Sequence, residues 1–285
     1  MESIIIKALA AKKTKEFILA HPEYKLNFWQ HCREKYFFHL RRKGFSIAYI
    51  DGHKEFCGLD FLVNKHTLIP RPETELLVEE ALHVILSNSE ESLQPSILID
   101  VGTGTGCIPI AISKKITGAT IFASDISRSA LRVARKNAKK HGVQINFLHG
   151  DLLKPFFKQN NNLTIQSRRS GRDPDFTSGQ FNNSTAIITA NLPYLTEKQF
   201  ISESSIQREP KHALVADNQD GLSLYKKLLE QIKSLKFSGI SIFLEIDPSQ
   251  NQTIKKIVGN IFPKAIIEIK NDLAGRDRLV VIHIN

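Results

Sequence analysis

Ile97-Leu-Ile-Asp-Val101 runs without interruption into Gly102-Thr-Gly-Thr-Gly106, and an apolar-periodic stretch begins at Cys107. A short apolar run closed by glycines reads as a buried strand. The glycines permit a tight turn and a close approach by a ligand, and the helix that follows aims its positive end at whatever lies over the turn. Strand, glycine turn and helix in immediate succession point to an α/β sheet whose strands run mostly parallel. The dinucleotide fingerprint G-x-G-x-x-G needs a glycine where Cys107 stands, and the phosphate loop needs a lysine there, so both fail. A G-x-G-x-G turn suits instead a cofactor without a pyrophosphate, with an amino-acid tail against the turn.

The alternation continues to the C-terminus. Strands are predicted at 97–101, 120–125, 145–149, 186–190, 240–246, 265–270 and 278–283. Helices are predicted at 106–115, 127–141, 222–236 and 249–260, with Ser127 as an N-cap. The last two strands leave no room for a helix between Lys270 and Arg278, which makes them antiparallel neighbours. In open sheets of this class ligands sit at the carboxyl ends of the strands. Asp125 ends the second strand about 20 residues beyond the first glycine, a position suited to ribose hydroxyls. Asp151, after the third strand, is placed to reach a base or its exocyclic amine.

The fourth strand, Ala186 to Ala190, stops in Asn191-Leu192-Pro193-Tyr194. Pro193 removes an amide donor and biases Leu192 away from helix. An amide side chain and an aromatic ring are left at the strand tip, suited to a planar amide or amidine such as a glutamine side chain or an adenine amino group. Taken alone, the tetrapeptide also reads as a strand closed by an Asx-type turn.

Upstream, residues 1–45 carry apolar clusters and little glycine or proline, predicting two to four helices. Residues 46–69 read as a β-hairpin with its turn at Asp51-Gly52. Ile69-Pro-Arg-Pro-Glu-Thr-Glu75 holds Arg71 in a stiff segment ahead of a helix that Thr74 can cap. Residues 87–95 read as a linker, and 158–185, rich in Asn, Ser, Gln and Gly, as a mobile insertion. Three separated cysteines argue for reduced thiols, and no His/Cys/Asp/Glu spacing completes a metal site. No secretory leader or membrane span is expected. The net charge of +10 fits either a phosphate-rich partner or a generally basic composition, because its clusters are spread out.

In Ile69–Glu75, Asp100–Gly106, Asn191–Tyr194, Gln207–Leu214, Leu244–Gln250 and Asp272–Leu279 the chain resembles the release factor glutamine methyltransferases, S-adenosylmethionine-dependent enzymes of class I. The resemblance runs from about Ser46 to the C-terminus. It implies a seven-stranded, mostly parallel, Rossmann-like methyltransferase sheet over 96–285, a small helical substrate-docking domain at 1–45 and a β-hairpin linker region at 46–95. The implied activity is transfer of a methyl group from S-adenosyl-L-methionine to the side-chain nitrogen of the glutamine in the Gly-Gly-Gln loop of class I peptide chain release factors. The chain departs from the family's Asn-Pro-Pro-Tyr at Leu192, and Asn-Leu-Pro-Tyr also occurs in enzymes that dimethylate adenine in ribosomal RNA. Those enzymes lack the arginine–proline–glutamate segment and the N-terminal helices.

The implied cofactor residues are Gly102, Thr103, Gly104, Thr105, Gly106, Asp125, Asp151, Leu152 and Asn191. The catalytic tetrapeptide is Asn191, Leu192, Pro193 and Tyr194, with Arg71 and Glu73 added on the substrate side. The Asn191 side-chain oxygen and the Leu192 carbonyl are expected to accept the two amide hydrogens, with Tyr194 against the amide face. A cytoplasmic monomer without obligatory nucleic acid is expected. Alternatives are an adenine N6-methyltransferase on RNA or DNA, a glutamine methyltransferase acting on a ribosomal protein, and a non-catalytic cofactor-binding scaffold.

Overall fold

The computed structural model describes residues 1–87, 97–157, 185–216, 220–235 and 237–284. The linker and the insertion expected at 87–95 and 158–185 lie outside these, apart from Ser87 and Thr185 at their edges. Helices α1 (Glu2–Ala11), α2 (Lys15–Ala20) and α3 (Phe28–Arg42) form the N-terminal unit. Its small core holds Ala8, Ala11, Ile18 and Leu26. Asn27 and Gln30 close a reciprocal capping box at the start of α3, satisfying end donors that a helix cannot pair internally.

The next segment corrects the expected hairpin. Ile47–Asp51 is a short helix, α4, because the Ser46 hydroxyl accepts from Tyr49 N at 3.3 Å and starts a helical turn. Gly52 ends that helix in the left-handed conformation and is no hairpin tip. The hairpin is β1 (His53–Phe56) and β2 (Leu59–Leu62). Its turn is Cys57-Gly58, both with positive φ, as tight hairpins of this twist require. Pro72–Thr74 make one 3-10 turn before α5 (Glu75–Ser87). Thr74 lies inside that turn, and its hydroxyl is used elsewhere.

The large sheet contains β3 (Ile97–Val101), β4 (Thr120–Asp125), β5 (Asn146–His149), β6 (Thr185–Ala190), β7 (Gly239–Glu245), β8 (Ile266–Asn271) and β9 (Asp277–Ile284). Their order is β5-β4-β3-β6-β7-β9-β8, parallel from β5 through β7, with β9 antiparallel to both of its neighbours. The order reverses between β3 and β6, which opens a crevice above their carboxyl ends. Leu98 and Ile99 of β3 are 0% and 1% exposed, and each such side chain contributes roughly 2 kcal/mol on burial.

Around the sheet lie α6 (Cys107–Ser113), α7 (Arg128–His141), α8 (Lys154–Phe157), α9 (Glu197–Ser202), α10 (Ser223–Ile232) and α11 (Asn251–Ile261). Ser127 caps α7 by accepting from Ala130 N at 3.2 Å, and Ala130, Leu131, Val133, Ala134 and Ala138 are its buried face. Asn137, on the same helix, is fully buried. Its amide accepts from Leu62 N (2.8 Å) and donates to Leu62 O (3.1 Å) and Thr105 O (2.9 Å), joining the hairpin to the glycine turn. Among the described residues, no helix is long and apolar enough to cross a membrane.

Candidate active site

Val101 and Ala190 are register partners on adjacent parallel strands, so Gly102 and Asn191 leave the sheet side by side. Gly102 has φ +75°, and a Cβ there would lie 2.8 Å from Leu192 Cδ2. Only glycine both adopts that conformation cheaply and leaves room for the buried Leu192 side chain. A cavity of about 290 Å³ sits above, with Gly102, Thr103, Gly104 and Thr105 on one side and Asn191, Leu192 and Pro193 on the other. Asp125, Asp151, Leu152 and Arg71 also line it, and His66 and His212 flank it.

Each predicted acid is anchored. Asp125 Oδ2 accepts from Gly104 N at 2.8 Å and Oδ1 from Ser127 N at 2.7 Å, so it braces the turn with one lone pair on each oxygen to spare. Burial raises its pKa, and the two backbone N–H groups oppose the rise. Among the described residues beyond its two chain neighbours, a Cβ on Gly104 would meet no atom closer than 4.0 Å, and Gly104 lines the cavity. Asp151 is partly desolvated, yet bonds from Lys154 (2.8 Å) and Lys227 (2.6 Å), both to Oδ2, hold its carboxyl below the usual range. Leu152 has φ +52°, a costly conformation for a branched residue, and it occurs at the cavity wall.

Beneath the turn, Asp100 Oδ1 accepts from Thr189 Oγ1 at 2.7 Å. Complete burial pushes the Asp100 carboxyl up to about 6. The Thr103 hydroxyl faces the same buried carboxyl and opposes that rise.

The tetrapeptide is held by residues that local spacing does not announce. Asn191 Nδ2 donates to Glu245 Oε2 at 2.9 Å and to Thr74 Oγ1 at 3.1 Å. Both amide hydrogens are thereby used, and no described residue donates to Asn191 Oδ1. Leu192 N donates to the buried Tyr225 hydroxyl at 3.1 Å. That hydroxyl gives its own hydrogen to the Glu245 carbonyl and stands 3.4 Å from the Leu192 carbonyl, which keeps accepting capacity. Tyr194 is not on the cavity wall: its ring packs into the core and its hydroxyl donates to Glu245 Oε1 at 3.3 Å. Gln250 Nε2 donates to the Tyr194 carbonyl (3.0 Å) and to Asp220 O (2.8 Å), which fixes the far end of the loop.

Arg71 reaches the cavity paired with Glu209, whose other oxygen accepts from Ile69 N at 3.0 Å. Glu73 and Gly106 are not on the cavity wall. Gly106 has φ +80° and caps α6, and a Cβ there would come within 3.2 Å of Ala134 and Ile110. Thr74, Glu209, Glu245, Tyr225 and Gln250 were missed as site residues because they meet only through tertiary contact. Apart from Tyr225, they fall within the stretches that carry the family resemblance.

Residues 77–192 match the family described as "Methyltransferase small domain". The release factor glutamine methyltransferase of Bacillus subtilis (strain 168) is 34% identical over 250 residues, which is 86% of this chain and 78% of that protein. The enzyme of the same description from Flavobacterium psychrophilum is 32% identical over 286 residues, covering 98% of this chain and 90% of its own. Among solved structures, the hMettl16 catalytic domain in complex with MAT2A 3′UTR hairpin 1 aligns with a TM-score of 0.53 at 15% identity. That alignment covers 80% of this chain and 75% of the other, a likeness of fold.

Proposed function

The chain belongs to the release factor glutamine methyltransferases, and from that premise we propose how its own residues methylate the glutamine side chain of a release factor. The target is the glutamine of the Gly-Gly-Gln loop in class I factors, and the reaction takes place in the cytoplasm, where translation occurs.

The residues around the cavity fit S-adenosylmethionine. The open space over Gly104 suits an amino-acid tail. Asp125 has lone pairs left for ribose hydroxyls, and Asp151 Oδ1 with Leu152 suits the adenine edge. When bound, S-adenosylmethionine supplies a methyl on a sulfonium, which leaves as a neutral thioether while the acceptor nitrogen gains the methyl and releases a proton to solvent.

An amide nitrogen is a poor nucleophile because its lone pair is delocalised into the carbonyl. Asn191 Oδ1 and the Leu192 carbonyl accept its two hydrogens, concentrate density on nitrogen and hold the lone pair toward the glycine turn. Proximity and preorganised dipoles then supply the rate, with no strong general base. Arg71 and its partner Glu209 brace the approach from the side of the proline-rich segment. The observation that carries this reading is the Asn191 amide, on the cavity wall with Gly102 and with both its hydrogens held by Glu245 and Thr74.

The test is transfer of labelled methyl to a purified class I release factor, to ribosomal subunits and to ribosomal RNA in parallel, with peptide mapping of the product. Label on the loop glutamine is the expected result. Label confined to RNA or to a ribosomal protein would overturn it.

A further inference from the structure

Glu245 ends β7, the strand beside β6, and is 2% exposed. Groups from three separate parts of the chain converge on it. Asn191 Nδ2 donates to Oε2, the Tyr194 hydroxyl donates to Oε1, and Thr74 lies alongside while itself accepting from Asn191 Nδ2. Burial raises the pKa of the Glu245 carboxyl, and the Thr74 and Tyr194 hydroxyls together with the opposite charge of Arg278, on β9, oppose that rise and favour the ionised form. Glu245, Tyr194 and Arg278 are not on the cavity wall, so they act on the site only through Asn191 and Thr74, which are.

An asparagine amide has two faces of opposite polarity, and packing alone hardly distinguishes them because oxygen and NH₂ are nearly the same size. A carboxylate does distinguish them, since an ionised one only accepts. Turned the other way, the Asn191 oxygen would face Glu245 and Thr74 would lose its donor. The NH₂ group would then be presented to the cavity, where it would confront the N–H groups of an incoming carboxamide. Glu245 therefore decides which polarity the site shows.

We propose that Glu245, assisted by Thr74, is the positioning residue that locks the Asn191 amide with its oxygen toward the acceptor, and that this lock makes the site select a primary carboxamide over the corresponding acid. A carboxamide brings two hydrogens to the Asn191 and Leu192 oxygens. A carboxylate brings only lone pairs and is repelled by the same two atoms. This inference rests on the methyl-transfer reading of the site.

The test uses the full-length enzyme with Glu245→Gln and Glu245→Asp. Glu245→Gln places donors where acceptors stood and releases the flip. Expected are a fall in kcat of about tenfold or more, a cofactor Kd within about twofold of wild type by calorimetry, and partial recovery of kcat in Glu245→Asp. The second readout is competitive inhibition by a release factor carrying glutamate at the target position, measured against one carrying glutamine. Wild type favours the glutamine form, and Glu245→Gln narrows that preference by about fivefold, because a free Asn191 turns its NH₂ to the acid. A residue needed only for folding would not change this ratio. An unchanged kcat together with an unchanged ratio overturns the proposal.

Should Glu245→Gln lose cofactor affinity or cooperative melting, Thr74→Val takes its place, with the same split in smaller measure. An unaltered kcat and ratio there overturns the proposal equally. Absence of methyl transfer by wild type would defeat the reading of the site itself, which keeps the two failures apart.

Discussion

At the scale of single residues the site works by aiming dipoles, and the energies follow from how few partners each atom has. Asn191→Ala deletes the acceptor and leaves the glycine turn in place. It should lower turnover by at least roughly a hundredfold while cofactor affinity, read by calorimetry, stays near wild type. Near-normal turnover would take Asn191 out of the chemistry. Asp100 works in the opposite direction, because it is buried under the turn and its carboxyl stands at about 6, above its ordinary 3.8. A folded-state value raised in this way contributes stability that is complete below the unfolded value and is lost as pH rises through about 6. Asp100→Asn, which does not titrate, should therefore gain on wild type between pH 5 and pH 7.5 by about 1.4 kcal/mol, one pH unit's worth of the shift. Urea unfolding at the two pH values measures the difference, and a constant gap would show that Asp100 titrates normally.

At the scale of elements, the strands carried their own signal and the connections did not. All seven strands of the large sheet begin and end within one residue of the positions expected from apolar runs bounded by polar punctuation. The central strands β3, β6 and β7 are buried along most of their length, so their composition is dictated locally. The hairpin shows why local reading stops there. Asp51-Gly52 has the composition of a turn, yet Ser46 starts a helix five residues earlier and the glycine ends it. Thr74 likewise looks like a helix cap, and its hydroxyl instead meets Asn191 across the fold. The glycine turn, Asp125 and Asn191 were legible as a site because each sits at the end of a readable strand. Glu245 also ends a readable strand, but no spacing says that its carboxylate will face Asn191 and Tyr194, or that Glu209 will face Arg71 and the Ile69 amide. Glu209 is the tie between the proline-rich segment and the loop before the Leu195–Val215 bridge. Glu209→Ala strands Arg71 and the Ile69 amide and should cost roughly 2–3 kcal/mol, seen as a lower urea midpoint with unchanged slope.

At the scale of the whole molecule, two polar fasteners tie outlying segments to the sheet domain, one joining the hairpin to the glycine turn and one joining the end of α3 to the segment after α9. Asn137 pairs with the Leu62 peptide unit as a neighbouring strand would and reaches the Thr105 carbonyl with the same amide. Arg208 donates from Nε to the Lys43 carbonyl at 2.7 Å, at the end of α3, and its guanidinium lies 5.6 Å from the centre of the Phe45 ring. If the helical unit docks the protein substrate, Arg208→Ala should raise KM for an intact release factor several-fold and leave kcat and cofactor affinity alone. A short peptide bearing the same glutamine should show no change. Equal effects on factor and peptide would move the role of Arg208 to the site itself.

The Leu192 amide has one more consequence. A proline there, as in the family's usual tetrapeptide, has no hydrogen to offer, so the phenol opposite would be left listening to a silent nitrogen. Leucine and tyrosine at these two places thus behave as a matched lock and key, and reverting the leucine alone should harm the enzyme that wears this version. Any exchange at one of them is best tolerated when its counterpart changes in step.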